Sequence, residues 1–268
     1  MKGTEPFRPR EKSDATKNKK HHHWFTRPSS FFHNPSWHAA TLLPNLSVCF
    51  KIALGITTTL YILNQSHLLP KPLSAVVSKT LFWPTLPITV LKRLGRWTTC
   101  VDETVIMGGA PFGFAGLPES LHDNHGVRGV INMCEEYRGP LREYNRLGMK
   151  ELWLPTVDHF EPSIKDLNRA VRFIERHRQM GSKVYVHCRA GHGRSAAAVF
   201  AWLLSKDPTV DRKTLNEDLC KLRDVRTTLW QQPNIIQFHA SLLPGDDDGT
   251  GWTGEEAHDN KPDCDDDF

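Results

Sequence analysis

Hydrophobic and polar positions divide the chain into four stretches. Residues 1–45 mix Lys, Arg, His, Ser and Pro with no apolar period, which predicts a disordered tail. Leu46–Leu63 is the most apolar stretch, with 12 of 18 positions apolar, interrupted by Lys51 and diluted by Thr57, Thr58 and Thr59. Its length just reaches a membrane span. Lys51 at the bilayer centre would cost about 3 kcal/mol unless it snorkels to an interface. A span, a surface-lying helix and a cleaved targeting element all fit this stretch. Ser74–Leu94 sets Leu81, Phe82, Trp83, Leu86, Val90 and Leu91 beside Lys79, Lys92 and Arg93, and Pro84 and Pro87 are expected to break it. That pattern suits a membrane surface, and equally a strap packed on a domain.

From about Trp97 the period changes to strands alternating with helices. Thr104–Met107, Val127–Asn132, Lys150–Leu154 and Lys183–His187 read as short strands. Ser163–Met180 reads as a helix: Ser163 and Asp166 form a capping-box-like start, Ile164, Leu167, Ala170, Val171 and Ile174 share a face, and Gly181 stops it. Further helices follow Ser195, cover Asp211–Arg223 and open at Pro233. The alternation implies an α/β fold, a central mainly parallel sheet flanked by helices. Residues 245–268 form an acidic, disordered tail.

Length and charge refine this organisation. A chain of 268 residues holds one domain of common size with about 100 residues to spare. With 39% hydrophobic and 24% charged residues, collagen-like, disulfide-scaffold and multi-span classes are excluded. Residues 1–28 carry a net charge of +5 and residues 245–268 carry −9, so the net +4 of the chain leaves +8 on 29–244. A basic middle suits anionic substrates or surfaces, and no nucleic-acid partner is expected. The six cysteines are widely spaced, with no C-x-x-C pair, which points to a reducing compartment and away from a zinc site. His21, His22 and His23 read as a solvated tract rather than a metal site.

The candidate chemistry lies at one strand-to-helix turn, Val184-Tyr-Val-His187-Cys188-Arg189-Ala190-Gly191-His192-Gly193-Arg194-Ser195. Such a loop turns successive backbone N–H groups inward and makes an anion nest at a helix N-terminus. Gly191 and Gly193 are expected to supply backbone angles that larger residues resist. Arg194 can fork onto two phosphate oxygens. Cys188 at the centre gains a thiolate from the same field, lowering a free-thiol pKa of about 8.5 by several units. Ser195 can hydrogen-bond the sulfur, and His187 braces the loop from behind. Cys, His, Gly, Arg and Ser at these spacings coincide by chance on the order of once in 10,000 chains.

Cleavage of a phosphate ester by a thiolate also needs an acid for the departing oxygen. Asp158 follows the strand Lys150–Leu154, and in a parallel sheet its loop opens at the same edge as the Cys188 loop. Glu161 and Asp166 are the rival acids, Asp166 being expected as a helix start. Cys134 is a candidate disulfide partner for Cys188, although a buried inert thiol is the simpler reading.

Residues 187–195 resemble the signature loop of the dual-specificity cysteine phosphatases. More narrowly, residues 81–242 resemble the phosphatidylglycerophosphate phosphatases, also described as mitochondrial protein-tyrosine-phosphatase-like enzymes. Leu81-Phe-Trp-Pro-Thr85, Val105-Ile-Met-Gly108, Asn132-Met-Cys-Glu135-Glu136-Tyr137, Pro155-Thr-Val-Asp158 and the loop itself carry the resemblance. It implies that Cys188 is the nucleophile, Arg194 the phosphate clamp and Asp158 the general acid, with Glu135 and Tyr137 near the pocket mouth and Arg189–Gly193 around the phosphate. With it, the alternating strands and helices over 95–244 are expected to form a phosphatase domain, and the hydrophobic pattern places a membrane-associating or targeting region over 46–94 before it. The first 77 residues and the acidic tail have no counterpart in it.

These readings converge on an intracellular, cofactor- and metal-independent phosphomonoesterase. Its partner is a phosphate monoester, on a phospholipid head group such as phosphatidylglycerophosphate or on a phosphoprotein. A membrane surface, of the mitochondrion or another organelle, is a further expected partner. A phosphate-binding module without turnover, and sulfur transfer or arsenate reduction at a similar loop, are the rival classes.

Overall fold

Val184, Tyr185, Val186 and His187 are all buried, because the strand they form has neighbours on both edges and helices on both faces. A computed structural model describes residues 46–66 and 68–243. The expectations for the 1–45 tail, for His21–His23 and for the 245–268 tail fall outside those residues. By their contacts residues 1–49 and 50–268 form two units, and of the first only 46–49, the opening of a helix, are described.

The strands are β1 (Thr98–Cys100), β2 (Val105–Gly108), β3 (Val127–Cys134), β4 (Lys150–Thr156) and β5 (Lys183–His187). They form one sheet in the order β1-β2-β5-β3-β4, with β1 antiparallel to β2 and the other pairings parallel. The sheet is mainly parallel, as the alternation of elements implies. Gly108 and Asn132 both stand opposite His187. The loops leaving β2, β3 and β5 therefore open at one edge, where ligands bind in such sheets.

Eight α-helices occupy the described residues: α1 (Leu46–Gln65), α2 (Lys71–Lys92), α3 (Leu117–His125), α4 (Leu141–Leu147), α5 (Ile164–Gln179), α6 (Arg194–Lys206), α7 (Arg212–Leu222) and α8 (Pro233–Ala240). Helices α5, α6 and α8 cover one face of the sheet over a core that includes Ile131, Leu154, Leu167, Ile174, Val186, Phe200 and Phe238. Leu121 of α3 and Tyr144 of α4 cover the other face, with Ile106, Val130 and Tyr185 beneath them. The Ser163 hydroxyl accepts from the Asp166 N–H at 3.1 Å, and Gly181 (φ +66°) closes the far end of α5. The unpredicted elements β1, α3 and α4 are short, at three, nine and seven residues, too little for a periodic signal.

Helix α2 corrects one expectation: it runs through Pro84 and Pro87 without a break. Both prolines sit on its exposed side. The opposite face buries Val77, Leu81, Phe82 and Leu86, and Phe82 and Leu86 share a cluster with Ala110 and Phe112. An interior proline costs a helix about 3 kcal/mol, and burying four large side chains at roughly 1.5–3 kcal/mol each matches or exceeds the cost of two. The strap reading therefore describes α2, although Val76, Trp83, Ile88 and Leu91 remain exposed. Helix α1 is different. It is long and apolar enough to cross a membrane, yet 6% of that stretch is buried. Its far end is tied to α2 by Asn64, which accepts from the Ser74 hydroxyl at 2.7 Å.

Candidate active site

The turn from β5 to α6 is shaped by one residue that sequence reasoning missed. The guanidinium of Arg223, 4% exposed, donates from Nε to the Gly191 carbonyl (2.9 Å) and from Nη2 to the Ala190 carbonyl (3.1 Å). It also donates to the Arg96 and Trp97 carbonyls and to the Thr99 hydroxyl of β1. Holding the loop carbonyls outward leaves the loop N–H groups facing in. Gly191 has φ +67°, and a Cβ there would lie 2.5 Å from Arg223 Nη2 and 2.6 Å from the Gly108 carbonyl. Only glycine fits. Gly193 does not share that constraint: its φ is −112°, so the expectation of special backbone angles holds for Gly191 alone.

Cys188 lies at the floor of the loop, 3% exposed. Burial pushes its thiol up. The Arg194 guanidinium, the Ser195 hydroxyl and the N–H groups of Ser195 and His192 outweigh that, and the net direction is down. Ser195 Oγ is 3.3 Å from Cys188 Sγ and fully buried. His187 packs flat on Tyr185 with ring centroids 5.7 Å apart. Burial, aided by Arg194, drives its pKa down to about 3, so the ring behind Cys188 is neutral.

Arg194 opens α6 and is held from three sides. Glu136 grips it with two oxygens at 2.7 Å each, the Thr156 carbonyl accepts from Nη1 at 2.8 Å, and Asp158 Oδ1 stands 2.9 Å from Nη2. Both members of the Arg194–Glu136 pair are buried, at 3% and 2% exposure. Glu136 reaches this position because Asn132 shapes the turn after β3: its amide donates to the Tyr137 carbonyl and its oxygen accepts from the Cys134 N–H. Burial would raise the Asp158 carboxyl, but Arg194, His159 and Arg189 reverse this, so it is held below the usual carboxylate range.

A cavity of about 310 Å³ collects these groups. Cys188, Arg189, Ala190, His192, Gly193 and Arg194 form its floor, and Asp158, His159 and Phe160 one wall. Thr89 and Lys92 of α2 and Arg93 just beyond it form another, joined by Tyr61 and Gln65 at the end of α1. Arg189, although part of the floor, also turns to α2: it donates to the Thr85 hydroxyl and lies over the Phe82 ring. His192 Nδ1 is 3.0 Å from Arg93 Nη2.

Two residues expected near the pocket mouth do not line this cavity. Glu135 instead pairs with Lys79 of α2 at 2.6 Å. Tyr137 stacks on Phe82 with ring centroids 5.3 Å apart and donates to the Pro111 carbonyl. The neighbouring Glu136, not singled out from the sequence, makes the contact with Arg194. Of the rival acids, Asp166 accepts from the Ser163 hydroxyl at 2.7 Å in the first turn of α5, and Glu161 accepts from the Asn234 N–H at 3.4 Å, outside this cavity. Cys134 is fully buried, and burial raises its thiol well above the ordinary value, as for an inert thiol.

A buried thiol with a lowered proton affinity, at the N-terminus of a helix and beside a forked guanidinium, defines a cysteine phosphatase. The model of the dual specificity phosphatase catalytic domain matches residues 115–240. The human phosphatidylglycerophosphatase and protein-tyrosine phosphatase 1 is 38% identical over 186 residues, covering 63% of this chain and 90% of the human protein. The Arabidopsis thaliana phosphatidylglycerophosphate phosphatase PTPMT2 is 38% identical over 133 residues, 47% of this chain and 57% of its own length. The crystal structure of PTPMT1 superposes with a TM-score of 0.49 at 30% identity, covering 55% of this chain and 96% of that one. The chain belongs to the dual-specificity phosphatases, in the family of phosphatidylglycerophosphatase and protein-tyrosine phosphatase 1. It is a phosphatase.

Proposed function

We propose that the chain hydrolyses a phosphomonoester on a phospholipid head group, phosphatidylglycerophosphate being the leading candidate, at a membrane surface. The single observation that carries the chemistry is the convergence of Cys188, Arg194 and Asp158 on one cavity.

In this reading the Cys188 thiolate attacks phosphorus in line with the leaving oxygen. The S–P bond forms as the P–O bond breaks, and the bonding pair leaves with the alcohol oxygen, which takes a proton from Asp158. Arg194 and the loop N–H groups balance the charge on the equatorial oxygens. Water then attacks the phospho-cysteine and gives a proton to Asp158, and the sulfur leaves as thiolate. Asp158 must therefore be protonated when substrate is bound, whereas Arg194 holds it as a carboxylate in the free site. An arriving phosphate dianion draws the guanidinium toward itself and places negative charge beside Asp158. Both effects raise the carboxyl's proton affinity. Ser195, within reach of the sulfur, eases its departure in the second step.

Three features support a lipid. The exposed apolar helix α1 ends at the cavity, where Tyr61 and Gln65 form part of the wall. Exposed Lys92 stands beside it, as suits an anionic interface. The human and Arabidopsis relatives are named for phosphatidylglycerophosphate. An organelle membrane, the mitochondrial one first, is the proposed location. The test is a panel of phosphatidylglycerophosphate and phosphoinositides in vesicles beside phosphotyrosine and phosphoserine/threonine peptides. Preferential turnover of phosphatidylglycerophosphate is expected. Peptides cleaved far better than any vesicle lipid would replace this reading with a protein phosphatase.

A further inference from the structure

The catalytic cavity does not stand alone. A second cavity, of about 510 Å³, adjoins it, and His159, Phe160 and Arg226 line both. His159 is the one non-glycine among the described residues with positive φ, at 69°. A strained backbone at such a junction is retained where the surroundings fix it, commonly at ligand sites.

Arg226 is half-buried, and its backbone is pinned at both ends. Its N–H donates to the His192 carbonyl at 3.0 Å, and its carbonyl accepts from the Asn216 amide at 3.2 Å. Its Nη2 lies 3.9 Å from where a Cβ on Gly193 would stand, so the guanidinium rests against the phosphate loop. Three other arginines of the catalytic cavity are engaged. Arg194 is held by Glu136 and Asp158, Arg93 by Asp224 at 3.2 Å, and Arg189 by the Thr85 hydroxyl. The Arg226 side chain makes no hydrogen bond or ion pair among the described residues, and Glu161, the acid of the second cavity, does not pair with it. A half-buried guanidinium without a counter-charge favours an anion from outside, and its planar fork suits two oxygens of a phosphate group.

We propose that Arg226 is a specificity-determining residue that binds a second anionic group of the substrate, on the alcohol side of the scissile ester. This rests on the head-group reading and sharpens it: the preferred substrate is a phosphomonoester whose leaving alcohol carries a phosphodiester, as in a glycerophosphoglycerol phosphate. A lone aryl phosphate fills the loop and leaves Arg226 unused.

The experiment compares wild type, Arg226→Gln and Arg226→Lys on two soluble substrates. One is glycerophosphoglycerophosphate, the head group without acyl chains, and the other is 4-nitrophenyl phosphate. The readout is the ratio of the two kcat/KM values on one preparation, in which any loss of folded protein cancels. Hydrogen bonds to charged groups place the expected fall in that ratio at about 10- to 100-fold for Arg226→Gln, with partial recovery in Arg226→Lys. A ratio within twofold of wild type overturns the inference alone. A wild type that cleaves phosphopeptides but not the head group overturns the lipid reading and this inference with it.

Discussion

Replacing Glu136 by glutamine tests whether the clamp is positioned from behind. The side chain grips Arg194 through two 2.7 Å contacts in a site where both partners are at most 3% exposed. Removing one partner of such a buried pair costs about 3–5 kcal/mol, because the remaining charge stays desolvated. Arg194 keeps the Thr156 carbonyl and Asp158, and the introduced amide would retain one acceptor, so the lower end applies, about 3 kcal/mol. For a domain of this size that lowers Tm by about 6–12 °C. The guanidinium then leans toward Asp158, its remaining carboxylate, and away from the phosphate position. A displacement on the order of 1 Å costs about 100-fold in rate. Thermal unfolding and 4-nitrophenyl phosphate kinetics on the same variant read both effects. A Tm within 2 °C of wild type, together with turnover within threefold, would refute the assignment of Glu136 as the residue that aims Arg194.

Three further outcomes follow from the geometry. Asp158→Asn should slow esters with poor leaving groups far more than 4-nitrophenyl phosphate, whose phenolate departs without help; equal slowing would move the acid elsewhere. Phe50→Asp with Leu54→Asp, both positions more than half exposed, should abolish cosedimentation with anionic vesicles and cut turnover of vesicle lipid, leaving aryl phosphate turnover within twofold. Unchanged vesicle binding would remove α1 from the membrane account. Buried His187 titrates near 3 when folded and near 6.5 when unfolded, so the unfolded chain binds the extra proton. Its contribution is full above about pH 6.5 and is lost toward pH 3, at up to about 1.4 kcal/mol per unit. Urea midpoints at pH 7, 5.5 and 4.5 should fall for wild type and less steeply for His187→Gln, and parallel slopes would contradict this.

The centre of the fold was legible because its signals are local and repeated. The β-branched strands, the amphipathic α5 with its Ser163 cap and the Cys188 loop each carry their pattern within a few residues. Their structural boundaries lie within two residues of the expected ones. What the sequence hid are contacts between distant segments. Arg223 staples a loop thirty residues before it, and Glu136 reaches Arg194 across the sheet edge. Nothing in the neighbours of Arg223 marks it, and the motif around Glu136 marks the segment without saying which side chain turns inward. The adjacent Glu135 and Glu136 look alike in a string, and only the turn set by Asn132 sends one to Arg194 and leaves the other for Lys79. The prolines of α2 misled for the opposite reason: a local helix-breaking signal was overridden by burial of Phe82 and Leu86 against the domain.

Chemistry at this site turns on how readily one sulfur gives up its proton. The direct measurement is the rate of Cys188 alkylation by iodoacetamide across pH 4 to 10, followed by mass spectrometry of the peptide that contains it, with and without inorganic phosphate. An inflection well below that of free cysteine, with protection by phosphate, is the predicted result. An inflection at or above the free-thiol value of about 8.5 would contradict it.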